Sequence, residues 1–118
     1  MIASILGGTR FGVAKKTSLV SLKVTDDRFG GTTWSIVMAA VQWAYDDAKA
    51  NNRIGKSVIN MSLGGPKTAD DGGALIDLVN KVVSQGLLIV VSAGNDHVSL
   101  ICRHLTKAAL ATRDGGRR

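Results

Sequence analysis

The sequence predicts an α/β fold, a parallel β-sheet flanked by helices, and three observations carry that prediction. Two short runs rich in β-branched residues, Val58-Ile59-Asn60-Met61-Ser62-Leu63 and Leu87-Leu88-Ile89-Val90-Val91, close on small residues at Gly64-Gly65 and at Ser92-Ala93-Gly94-Asn95. Runs of this kind read as buried parallel strands. Between and before them lie stretches with apolar residues at i, i+3 and i+4, the spacing of an amphipathic helix. The order strand, helix, strand, helix, strand then implies parallel pairing with helical crossovers.

Each element has a local reason. Residues 1–8 read as the end of a helix stopped at Gly7-Gly8, followed by a tight connection through Phe11-Gly12-Val13-Ala14. Ser18–Val24 alternates partly in polarity and reads as the first strand, with Asp26-Asp27 and Gly30-Gly31 in the loop after it. A helix is expected from Thr32 or Thr33 to Asn51, with a threonine oxygen as N-cap. Its apolar face is Ile36, Val37, Ala40, Val41, Ala44 and Ala48, with Trp34, Trp43 and Tyr45 at the edges of that face. The turn Asn51–Lys56 leads to a strand over residues 57–63. Residues 66–72 form a polar loop with the only proline, Pro66, and Asp70-Asp71 suit the positive end of the next helix dipole. That helix buries Leu75, Leu78, Val79, Val82 and Val83 and ends at Gly86, the C′ glycine. The strand 87–92 follows directly.

A chain of 118 residues makes one small domain. With 45% hydrophobic and 20% charged residues it is globular rather than disordered. The net charge is +6, but residues 1–96 hold 10 Lys/Arg against 8 Asp, and residues 97–118 hold 5 against 1. The basicity therefore belongs mostly to the tail. That tail has no aromatic residue for stacking on bases, so it reads as solvated and no nucleic-acid partner is expected. The single cysteine, Cys102, excludes an intrachain disulfide and a cysteine-based zinc site. Met1–Leu6 does not form a signal peptide, and no apolar run reaches the length of a membrane span.

Parallel strands ending on one edge bring Asp26-Asp27, Ser62–Gly65 and Ser92–Asn95 to one candidate cleft. Nucleotide binding is the less favoured use of it. Neither a G-x-x-x-x-G-K-[ST] loop nor a G-x-G-x-x-G turn occurs, and Pro66 keeps Gly64-Gly65 from opening straight into a helix. His97 and His104 lack metal-ligand spacing, so no metal site is expected. No G-x-S-x-G elbow sets up a nucleophile. What remains is a strand-end asparagine preceded by glycine. Its amide can donate to a developing oxyanion or merely cap a turn.

Val58–Gly65 (VINMSLGG) and Val90–Asp96 (VVSAGND) resemble two signature segments of the subtilisin-like serine proteases, especially the fungal proteinase K-like branch. Supporting matches are Gly7–Lys16 (GGTRFGVAKK), Ser18–Asp27 (SLVSLKVTDD) and the helix after it, all in the family's order. The resemblance covers about residues 2–96, and it implies a partial subtilisin-like three-layer fold and roles for particular residues. Asn95 matches the oxyanion-hole asparagine. Ser62, Leu63 and Gly64 match the segment that pairs with substrate backbone and forms one wall of the P1 pocket, and Ser92, Ala93 and Gly94 match the opposite wall. Gly30 and Gly31 fall near the other substrate-pairing strand, where Phe29 departs from the glycine common in relatives. A peptide or protein substrate is implied. No cofactor is expected, and the calcium sites common in the family have no identifiable counterpart here.

The triad is not matched. Ile2-Ala3-Ser4 aligns with the end of an H-G-T-H-V-A motif whose catalytic histidine would precede Met1, the aspartate would lie earlier still, and no G-T-S-M-A sequence supplies the serine. The expected division is a partial peptidase domain, 1–96, and a basic tail, 97–118, whose abrupt change of composition suggests a shifted reading frame or a retained intron. The expected function is a serine endopeptidase fragment, inactive by itself. The alternative is a non-catalytic peptide-binding module. Unpaired sheet edges would favour self-association. The family is secreted, though this sequence shows no signal.

Overall fold

The computed structural model describes residues 2–25, 31–63 and 72–92. They form five elements: α1 (Ile2–Gly7), α2 (Trp34–Ala50), β1 (Val58–Met61), α3 (Gly72–Ser84) and β2 (Leu88–Val91). The two strands pair in parallel, with Val58 opposite Leu88, Ile59 opposite Ile89, Asn60 opposite Val90 and Met61 opposite Val91. This is the α/β arrangement that the strand-helix-strand order implies.

The helices begin and end where their sequences dictate. Thr33 is the N-cap of α2: its backbone is extended, at φ −111° and ψ 152°, and its Oγ1 accepts from the Ile36 N–H. That bond satisfies one of the first-turn donors a helix leaves open. Helix α3 closes with two bonds, Gly86 N–H to Val83 O at 3.0 Å and Leu87 N–H to Val82 O at 3.3 Å. Gly86 sits at φ +93°, the left-handed conformation that this Schellman closure requires. Helix α2 ends the same way, with Asn52 at φ +53°. The Asp47 carboxylate below that turn accepts from the Asn51 amide at 3.0 Å and is ion-paired with Arg53.

One apolar cluster joins α2, α3 and the two strands, and α1 adds no residue to it. It consists of Val37, Val41, Tyr45 and Ala48 from α2, Leu75, Val79, Val82 and Val83 from α3, and Met61, Leu87 and Ile89 from the strands and their entry. Each fully buried side chain of this kind contributes roughly 1.5–3 kcal/mol through the surface it removes from water. No polar or charged residue is buried among those described.

Three expectations change. Ser18–Val24 is not a strand, and the sheet among the described residues has two strands, β1 and β2. The segment does not pair into the β1–β2 sheet, and Leu19 and Val20 stay exposed. Tyr45 lies in the core rather than at its edge, while Ile36 is exposed. Tyr45 stands four residues after Val41 and eight after Val37, so it shares their stripe, whereas Ile36 is turned away from it. The strands are also buried on one face only. Ile59, Met61, Ile89 and Val91 face the helices, while Val58, Asn60, Leu88 and Val90 are exposed on the other face. The helix end before Gly8, the Thr33 cap and the Gly86 stop agree with the sequence. Asp70 and Asp71 lie outside the described residues.

Candidate functional site

Because β1 and β2 are parallel and in register, both chains leave the sheet at the same edge. Met61 and Val91 are the last paired residues. One bond beyond them, the Ser92 N–H donates to Met61 O at 3.2 Å. That contact carries the ladder past the strand ends and sets the start of the Ser62–Leu63 segment beside Ser92. Ser62 and Ser92 are exposed. Leu63 is half-buried and packs against the core, which anchors the β1 exit from beneath.

The edge has a further polar contact that the sequence reading overlooked. Asn60 Nδ2 donates to Ser62 Oγ at 2.9 Å. The two residues are two apart, so they project to the same side of the chain. The available signal was a lone amide inside an otherwise apolar run, at the alternation position that also holds a serine.

Gly31 is exposed and enters α2 two residues before its cap, and no described hydrogen bond joins it to the strand ends. Next to it, the Thr32 hydroxyl donates to Val24 O, tying together the two sides of the connection that leads into α2. Gly30, Gly64, Ala93, Gly94 and Asn95 lie outside the described residues. The structure therefore brings together Ser62, Leu63 and Ser92 of the predicted site residues.

The chemistry of this edge is narrow. Asn60, Ser62, Leu63 and Ser92 include no ionisable side chain. Serine hydroxyls are weak nucleophiles without an adjacent base. Hydroxyls, an amide and backbone groups next to an apolar side chain can instead hold an extended chain by hydrogen bonding, as strand addition does. No group of three or more His, Cys, Asp or Glu suited to a metal occurs among the described residues. No described helix is long and apolar enough to cross a membrane.

The model of peptidase S8, the subtilase family, matches residues 1–114, a span that includes most of the basic tail. Similar proteins are fungal. "Alkaline protease 1" of Aspergillus clavatus is 41% identical over 97 residues, covering 82% of this chain and 23% of the relative. "Subtilisin-like serine protease Pen ch 13" of Penicillium rubens is 44% identical over 94 residues, covering 80% of this chain and 22% of the relative. "Subtilisin-like protease 11" of Arthroderma gypseum is 37% identical over 95 residues, again 80% of this chain and 22% of the relative. The chain thus spans about a fifth of the length of these curated relatives.

Proposed function

The chain belongs to the subtilase family, and from that premise we propose that it forms the substrate-binding and oxyanion-stabilising part of a serine endopeptidase. The reaction is peptide-bond hydrolysis by acyl transfer. Ser62, Leu63 and Gly64 pair with the substrate backbone and form one wall of the P1 pocket. Ser92, Ala93 and Gly94 form the other wall, and Gly30 and Gly31 serve the second pairing strand. The Asn95 amide donates to the oxyanion of the tetrahedral intermediate. Loss of such a donor costs about 10²–10³ in kcat, a value measured on a member of this family and not on this chain. Secretion, as in the family at large, is part of the same proposal.

The observation that supports this reading is the bond from the Ser92 N–H to Met61 O, which sets Ser92 beside the Ser62–Leu63 exit of β1 at one sheet edge. Part of the same proposal is that these 118 residues supply none of the triad aspartate, histidine or serine. Substrate seating without a nucleophile gives binding without cleavage. Treating the purified chain with a serine-directed fluorophosphonate is therefore expected to leave it unlabelled, and casein to stay intact beside it. Stoichiometric labelling would overturn the proposal.

A second reading, a non-catalytic peptide-binding module, draws on the lack of any ionisable side chain in the described part of the edge. Reconstitution separates the two. Rescue of proteolysis by supplying the missing parts of a relative's domain favours the peptidase, and binding that never leads to cleavage favours the module.

A further inference from the structure

We propose that Asn60 is a positioning residue that aims the Ser62 hydroxyl at a carbonyl oxygen of a bound peptide, an inference that rests on the peptide-binding reading above. Asn60 is the one polar side chain in β1, between Ile59 and Met61. It stands opposite Val90 on the face of the sheet that the helices leave open, so packing does not require it. A valine there would suit the strand better.

What the amide does is hold Ser62. Its Nδ2 donates to Ser62 Oγ at 2.9 Å. A hydroxyl has one hydrogen to give and two lone pairs to receive with. With one lone pair taken by Asn60, the hydroxyl hydrogen is directed away from Asn60 and kept for another acceptor. Carbonyl oxygens are the acceptors that every extended peptide presents, whatever its side chains. The arrangement therefore recognises peptide backbone rather than any particular residue. Aspartate at position 60 would reverse the sense of the bond. Its carboxylate would accept the Ser62 hydrogen and turn it inward, with almost no change of shape.

The test is titration of the full 118-residue chain with a fluorescein-labelled, C-terminally amidated tetra-alanine peptide, followed by fluorescence anisotropy. N60A, N60D, S62A and the N60A/S62A pair are compared with the unsubstituted chain, and each is also melted. N60A and N60D are expected to raise Kd about three- to tenfold, the effect of one hydrogen bond. The pair should bind no worse than S62A, because Asn60 acts through Ser62. Melting temperatures should stay together, since Asn60 is exposed. Binding of N60D equal to that of the unsubstituted chain overturns the inference, as do losses that multiply in the pair. Absence of peptide binding by the unsubstituted chain overturns the peptide reading itself, which is a separate result.

Discussion

Two residues with left-handed backbone close the helices that lead into the strands. Gly86, at φ +93°, ends α3, and Asn52, at φ +53°, ends α2. Gly86 hands the chain straight to Leu87, one of the most buried side chains of the molecule, so the turn fixes where β2 begins and hence where Ser92 emerges. Gly86→Ala is expected to cost about 1–2 kcal/mol, because a side chain in this conformation crowds its own carbonyl. The added Cβ would also lie 3.3 Å from Ile54 Cγ2. A lowered urea midpoint with an unchanged slope would register the loss, and an unaltered midpoint would refute it. Gly86 could be read from sequence because glycine after an apolar helix is a specific stop. Asn52 could not, because asparagine also suits ordinary turns and caps.

At the scale of elements, the phase of α2 shows what periodicity can and cannot resolve. Val37, Val41 and Ala48 were legible as a stripe, but Ile36 and Tyr45 flank it on opposite sides, and either one completes an apolar face. Burial in the cluster that α2 shares with α3 and the strands decides between them in favour of Tyr45, and packing partners are not encoded in one helix's own pattern. Tyr45→Ala is therefore expected to cost on the order of 3 kcal/mol, and Ile36→Ala less than about 0.5 kcal/mol. Equal losses in urea denaturation would show that the stripe is assigned wrongly. The same limit explains Ser18–Val24. Alternation marks a sequence fit for a strand, but a strand also needs a neighbour to bond with, and β1 and β2 bond with each other. The site edge was legible further, because parallel topology alone sends the Met61 and Val91 ends to one side. Asn60 escaped notice because its partner is a hydroxyl two residues away rather than a recognisable motif.

For the whole molecule, the decisive feature is a sheet covered on one side. Parallel sheets are ordinarily packed on both faces. Here α2 and α3 cover one face, while Val58, Leu88 and Val90 remain 46–58% exposed on the other. Val58 and Leu88 are paired across the strands, and Val90 is next in line beside Asn60, so the exposed residues form a contiguous patch rather than scattered sites. Contiguous apolar surface next to open strand edges is the combination that drives chains together. The isolated chain is therefore expected to self-associate, with its sedimentation coefficient rising with concentration. The pair V58K and V90K, made together, places two charges on the patch without touching the core cluster. It should hold the chain monomeric across the same concentrations and leave the far-ultraviolet circular dichroism as it was. If the double variant associates as strongly as the unsubstituted chain, the open sheet face is not the surface through which copies meet. The exposed apolar residues of the first 22, Phe11 and Val13 foremost, would then be the next surface to charge.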